Sequence, residues 1–151
     1  MAGNLAGSAT WSRVRLFDAA DATDGWKRFD PLRWNDIGSV DRSIAVWVEL
    51  TGSGELRVAG KVPCTTSITL AAGWNLVGFP SMTATSVASA TAGLSGGVTV
   101  EAYDPTGPYH LQRLAPSSVM SPGAGYWIHA PASQVWDIVN DPALGCEGTG
   151  P

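Results

Sequence analysis

The chain has 151 residues, the usual size of one domain, and its 44% hydrophobic residues are enough to build a core. A net charge of −4 argues against a nucleic-acid partner, and the sequence holds no apolar run of the roughly 18 residues that membrane insertion needs. Its 18 glycines and 10 prolines predict many turns, which is typical of a β-rich protein.

Short runs that alternate apolar and polar residues predict strands along most of the chain. Gly, Pro, Asp and Ser bound these runs, which begin at 14–17 and 44–50 and continue at 56–58, 67–70 and 98–101. The sequence therefore predicts a mainly β fold.

One segment has helical spacing instead. Val87, Thr91 and Leu94 fall on one face of a helix over 86–94, Ser86 suits its N-cap, and Gly96 stands just past its end. We expect one short helix near 86–94.

The chain also repeats itself. Residues 45–48 (Ala-Val-Trp-Val) match residues 125–128 (Gly-Tyr-Trp-Ile) at an offset of 80, and 14–18 match 100–104 at an offset of 86. The inferred unit is a strand, a loop, a Trp-containing strand, a tight turn and another strand, present twice.

The repeat predicts a single compact, β-sandwich-like domain over 1–151, made of two similar halves by internal duplication. The first half-repeat covers 11–62, the second covers 63–146, and 147–151 form a tail. The second half has an extra front end, a strand pair and the helix, so we expect the first half to be truncated and the chain to be part of a longer protein.

Three motifs of the second half resemble a known module: residues 70–81 (LAAGWNLVGFPS), 103–105 (YDP) and 122–128 (PGAGYWI). They are similar to a β-rich repeat module of large secreted and cell-surface proteins of bacteria and archaea, most strongly over 55–139. The resemblance implies an extracellular or cell-surface, non-catalytic structural or interaction module. Its partners would be neighbouring domains or chains of a surface assembly, and the family brings no catalytic motif or cofactor.

The seven tryptophans divide into two groups. Four lie inside apolar strand patterns, which favours core packing: Trp47, Trp74, Trp127 and Trp136. The other three lie at 11, 26 and 34, and the last two are flanked by charges in loop-like sequence.

Rings beside Asp, Asn and Arg are typical of sugar-binding faces. An alternative function is therefore carbohydrate binding, with polysaccharide as partner, through Trp26, Trp34, Trp11 and Tyr109. The competing interpretation is that the longer first loop covers a sheet edge with these rings.

Two other groups of residues are candidate sites. Asp18, Asp21 and Asp24 form an acidic run, but their spacing of three is not that of a calcium loop, so a solvated turn is favoured over a cation site. His129 and Asp137 lie on adjoining predicted strands, and His110 is the second histidine, but no serine elbow accompanies them. The sequence therefore predicts no catalytic site, metal or cofactor.

The two cysteines follow the closing strands of the two halves. The offset of 80 maps Cys64 onto Leu144, two residues from Cys146, so both leave equivalent places. If the halves pack about a pseudo-twofold axis, the exits approach each other and a disulfide forms; two free thiols are the alternative.

Overall fold

The structure, a computed structural model, describes residues 11–30, 35–52 and 60–148. The described part is mainly β, as predicted, and its strands pair antiparallel. The strands are β1 (Trp11–Phe17), β2 (Trp26–Phe29), β3 (Trp47–Leu50), β4 (Thr65–Leu70), β5 (Gly73–Gly78), β6 (Thr85–Ser86), β7 (Thr99–Tyr103), β8 (Leu111–Arg113), β9 (Val119–Met120), β10 (Gly125–Ala130) and β11 (Gln134–Val139). The helical elements are α1 (Val87–Ala90) and two 3-10 turns, Pro108–His110 and Pro142–Leu144.

The helix starts where the sequence predicts but is shorter. The Ser86 hydroxyl accepts a hydrogen bond from the Ser89 N–H, which is the predicted N-cap. Thr91 ends the helix at Ala90, and the chain then continues in tighter turns, with the Leu94 N–H donating to the Thr91 carbonyl. The predicted span 86–94 is thus one α-helical turn followed by tighter, non-helical turns.

The second half is a small sandwich. A sheet in the order β5-β10-β7-β8 faces the pair β4-β11, and the hydrophobic core lies between them. Leu70, Met120, Ile128 and Trp136 fill this core, and the Trp136 indole N–H donates to the Ala90 carbonyl at 2.7 Å. The helix is thereby fixed to the core by a satisfied polar group.

The first half repeats one sheet of the second with the same register. Its sheet has the order β2-β1-β3, which matches β8-β7-β10. Corresponding pairs are Val14–Val48 and Val100–Ile128, Arg15–Trp47 and Glu101–Trp127, and Phe17–Trp26 and Tyr103–Leu111. The hairpins β1–β2 and β7–β8 each close with a backbone hydrogen bond from an Asp N–H. Asp18 donates to the Gly25 carbonyl, and Asp104 donates to the His110 carbonyl. The offsets read from the sequence therefore correspond to equivalent places in the fold.

The two halves contact each other reciprocally. Phe17 lies 5.3 Å from Trp127, and its equivalent Tyr103 lies 5.2 Å from Trp47, the equivalent of Trp127 (ring centroids). Such an exchange of equivalent contacts is the signature of a twofold interface. The halves are thus related by a pseudo-twofold axis.

Ala45 and Gly125, another equivalent pair, meet at this interface. A Cβ added to Gly125 would lie 2.6 Å from the Ala45 Cβ, closer than two carbon atoms pack. The chain around Ala45 also bonds to the end of β5, where the Gly78 N–H donates to the Ser43 carbonyl at 2.9 Å. A glycine at 125 therefore allows the halves to approach.

Cys64 and Cys146 form the predicted disulfide, with their Cα atoms 4.9 Å apart. Backbone bonds surround it: the Cys64 N–H donates to the Gly148 carbonyl and the Asn140 N–H donates to the Cys64 carbonyl. The buried Asn140 side chain donates to the carbonyls of Pro63 and Pro80. The entry to β4 and the exit from β11 are thereby tied together.

We expect Gly125→Ala to destabilise the chain by about 1–3 kcal/mol, because its methyl group overpacks against Ala45. Adding Ala45→Gly should restore part of the loss, which a double-mutant cycle in urea measures. Gly93→Ala, at a site with open space around it, is the matched control and should change stability little. Equal effects at positions 93 and 125 would contradict this account.

Replacing both cysteines by serine should lower the free energy of unfolding by about 4 kcal/mol on the chain-entropy model, since the bridge closes a loop of 82 residues. The measurement is urea denaturation of the variant beside the oxidised and the reduced native chain. The reduced native chain should behave like the variant. Unchanged urea midpoints in the double variant and in the reduced native chain would contradict the expectation that the disulfide stabilises the fold by restricting the unfolded chain.

Candidate functional site

Aromatic and polar side chains share the outer face of the second-half sheet, away from the core. Cross-strand pairing arranges the residues of this face in two rows across β5, β10 and β7. The first row is Trp74, His129 and Thr99, and the second is Leu76, Trp127 and Glu101. Side chains in such rows are neighbours at about 5 Å. The sheet therefore holds these groups in a fixed grid.

Rings of both halves join on this face into one surface. Trp127 lies 5.8 Å from Trp26 and 6.5 Å from Trp74, and Trp74 lies 5.1 Å from His129 (ring centroids). Trp26 is 48% exposed and Trp74 is 38% exposed. We name Trp26, Trp74, Trp127 and His129 the aromatic surface. Its rings stand at steep angles, 66° for Trp26–Trp127 and 86° for Trp74–Trp127.

Phe17 positions the part of the surface that the first half contributes. It pairs with Trp26 across the β1–β2 hairpin, and its ring lies 5.4 Å from Trp26 and 5.3 Å from Trp127. The contact between the halves therefore also builds the aromatic surface.

The four tryptophans assigned to the core do not behave alike. Trp136 is buried, as predicted, but Trp74 is one of the exposed aromatic side chains and Trp127 is half-buried under Trp26. Trp47 is half-buried against Tyr103. The missed signal is alternation: Trp127 stands between the buried Tyr126 and Ile128 and must point to the opposite face.

The sugar-binding candidates from the sequence are dispersed. Trp26 is exposed, as expected, but Trp11 lies half-buried against Phe29 at 5.3 Å, about 20 Å along β1 from the residue paired with Trp26. Tyr109 is 94% exposed at the β7–β8 turn. Trp34 lies outside the described residues.

The opposite face of the first-half sheet is an apolar surface with incomplete cover. Val14 and Val48 are half-buried and Leu50 is 47% exposed. Their equivalents Val100, Ile128 and Ala130 are buried in the second-half core. We name this surface the open face; it comprises Trp11, Val14, Phe29, Val48 and Leu50.

A half-open cleft of about 430 Å³ lies between the halves, beside Leu16. One wall is the first-half loop at 17–20 and Lys27, and the other is formed by 67–69 of β4 and 75–77 of β5. Residues of both halves therefore line this cleft.

The acidic run forms a turn. Asp21 binds the Lys27 ammonium at 2.6 Å and accepts from the Thr23 and Asp24 N–H groups. Lys27 is the main cause that holds the pKa of Asp21 far below its usual value, and Asp21 in turn raises the pKa of Lys27. Asp18 binds the Ala20 N–H. Within the described ranges, no three metal-ligating side chains come together, so the weak cation candidate gains no support.

The two histidines lie in different parts of the fold. His129 belongs to the aromatic surface, whereas Asp137 accepts from the Ser67 hydroxyl on the far side of the sandwich. Packed sheets lie about 10 Å apart, so the structure does not bring His129 and Asp137 together. His110 is exposed at the β7–β8 turn, beside Tyr103.

Comparison of the chain with protein-family models, curated proteins and solved structures found no match. The resemblance to the surface-protein repeat therefore stays a prediction. In the described part of the chain, no helix has the length and apolar character to cross a membrane.

We expect Asp21→Asn to lower the melting temperature at pH 7. The folded-state pKa of Asp21 lies below the unfolded value, so its ionised form stabilises the fold above about pH 4 and this contribution shrinks as the pH falls further. The difference between variant and native chain should therefore narrow from pH 5 to pH 2. Asp24→Asn is the control, because Asp24 bonds to Asp21 through its backbone N–H. Parallel melting curves at every pH would contradict the assignment.

Proposed function

We propose that the chain is a non-catalytic structural or interaction module of an extracellular or cell-surface assembly, with neighbouring domains or chains as partners. The open face carries this proposal. The residues equivalent to Val14, Val48 and Leu50 are buried in the second-half core. Val14, Val48 and Leu50 themselves remain partly in contact with solvent. Apolar surface of this kind marks interaction sites.

The second half is a template for what such a partner looks like. There, Ile68 and Leu70 of β4, Val87 of α1 and Trp136 of β11 cover the equivalent face. The described residues of the first half contain no counterpart of β4, β5 or α1. A partner that supplies a strand pair and a short helix of this pattern would bury the open face in the same way.

The chemistry of the surface supports a binding role. Among the described residues, the carboxyl groups with lowered pKa values are those of Asp21, held mainly by Lys27, and Asp104, held mainly by Thr106. Burial is not the main cause of either shift, whereas the pKa values of catalytic groups are typically shifted by burial together with a charged partner. The disulfide supports an extracellular place, since oxidising compartments preserve such bonds.

Carbohydrate binding is the second candidate function, and the aromatic surface favours it. Trp26 and Trp74 are exposed side chains projecting from paired strands, and the imidazole of His129 lies beside Trp74. This site is separate from the open face, so the two functions can be tested independently.

A chimaera tests the interaction proposal. A second copy of residues 65–96 replaces residues 1–10, so that it precedes Trp11 as the original copy precedes Gly97, the equivalent residue, and β1 stays intact. We expect the added segment to cover the open face, which slows amide hydrogen exchange at 47–50 and raises the melting temperature.

The matched control is the same chimaera with Ile68→Asp and Leu70→Asp in the added copy alone, which should leave exchange at 47–50 as in the native chain. Equal protection in both chimaeras, or none in either, would show that the open face does not accept a segment of this pattern.

A further inference from the structure

We propose that the first-half sheet binds an acidic polysaccharide on the face opposite the open face. Arg15 and Arg28 bind carboxylate groups of the polysaccharide, and Trp26 stacks on its sugar rings. This inference rests on the second candidate function and deepens it, because it names the class of polysaccharide and the residues that recognise its charge.

The register of the first-half sheet places two arginines side by side. Arg28 on β2 and Arg15 on β1 are cross-strand partners, and Arg15 pairs on its other side with Trp47 on β3. Residues directly opposite each other have their Cβ atoms about 5 Å apart. Both arginines are exposed, so two positively charged side chains share a small area of the surface. We name Arg28, Arg15 and Trp47 the arginine row.

The described residues supply no ion-pair partner for either arginine of this row. Glu49, in the next row of the sheet, lies 3.7 Å from Arg13, and Asp36 accepts a hydrogen bond from the backbone N–H of Arg28. Like charges on directly opposite residues destabilise a sheet. A bound anion would therefore relieve a repulsion between Arg15 and Arg28.

The second half shows the equivalent row in a neutral form. Glu101 and Arg113 occupy the places of Arg15 and Arg28, and the Glu101 carboxylate lies 3.4 Å from the Arg113 guanidinium group. Because the two half sheets share their register, the fold does not require a base at position 15. A carboxylate can thus reach the guanidinium group of such a row, and in the first half a ligand can supply it.

Trp26 adds a stacking ring beside the arginine row. It lies two residues before Arg28 on β2, on the same face and about 7 Å away, and it is 48% exposed. A uronate sugar combines an apolar C–H face, which packs on an indole, with a carboxylate, which accepts paired hydrogen bonds from a guanidinium group. An acidic peptide segment offers carboxylates without such a face, so an acidic polysaccharide fits better.

The surface extends beyond one sugar. Trp127 lies 5.8 Å from Trp26, and Trp74 lies 6.5 Å from Trp127 (ring centroids). Glu101, the neighbour of Trp127 on β7, is compensated by Arg113. A polysaccharide bound at the arginine row can therefore contact further rings of the aromatic surface.

The acidic excess of the chain belongs to the other half. Residues 1–63 hold eight basic and eight acidic residues, whereas 64–151 hold one basic and five acidic residues, so the net charge of −4 comes from 64–151. At physiological ionic strength, charges more than about 8 Å away are largely screened. The charge that a ligand meets at the arginine row is therefore set mainly by Arg15 and Arg28.

Calorimetric titration of the full chain with matched polymers tests the inference. Polygalacturonate and alginate are the acidic probes, and methyl-esterified pectin is the counterpart of polygalacturonate with capped carboxylates. Galactomannan is a neutral chain, and polyaspartate carries carboxylates without sugar rings. We expect at least one acidic polysaccharide to bind at least about tenfold more tightly than esterified pectin, galactomannan and polyaspartate.

Two variants install the residue that the second half has at the equivalent place. Arg15→Glu copies Glu101 and should weaken binding of the acidic polysaccharide at least about tenfold, because the new carboxylate pairs with Arg28. Trp26→Leu copies Leu111 and should weaken binding by up to about tenfold, because it removes the stacking ring.

Arg42→Glu is the matched control, because it makes the same change of charge at an exposed arginine in the loop before β3. It should bind like the native chain, and thermal melting confirms that each variant is folded. If the native chain binds no polysaccharide, the second candidate function and this inference both fail, and the interaction module stands.

If esterified pectin or galactomannan binds as tightly as the acidic polysaccharides, carbohydrate binding stands and this inference is overturned. Polyaspartate binding of the same strength would also overturn it. So would equal binding by Arg15→Glu and Arg42→Glu, or unchanged binding by Trp26→Leu.

Discussion

The reciprocal contact between the two half sheets determines most of what this chain presents to solvent. Phe17 on Trp127 and Tyr103 on Trp47 are one contact made twice, and the close approach of Ala45 to Gly125 brings the sheets within reach. Because ring pairs of this kind contribute beyond the area that they bury, the interface is stabilised at two symmetric points.

This interface assigns opposite roles to the two faces of each half sheet. One face meets the other half, and the second face needs cover from elsewhere. In the second half, β4, β11 and α1 provide that cover and form the core around Ile128. In the first half the same face is the open face, so a single duplicated sheet gives one folded core and one partly exposed apolar surface.

Much of the fold was predictable because it depends on local patterns. Alternation predicted strands such as β1, β4 and β7, Ser86 marked the helix start, and the match of 14–18 to 100–104 predicted an equivalent strand in each half, whereas β2 and β8 fell in a segment predicted as loop. The aromatic surface was not predicted, because alternation shows that Trp127 and Ile128 point to opposite faces but not which face is covered. That choice depends on long-range packing of Phe17 and Trp26, which no local pattern of the second half contains.

The disulfide lies in the second half of the chain. Cys64 precedes β4 and Cys146 follows β11, so the bridge closes the half whose core is already complete. The Asn140 side chain and the Glu147 N–H, which bonds to the Val62 carbonyl, hold the adjoining backbone in place. Because the first half joins the second through this same segment, the bridge fixes its point of attachment without cross-linking its strands. The covalent constraint therefore stabilises the half that carries β5, β7 and β10, and it places no cross-link on the strands of the open face.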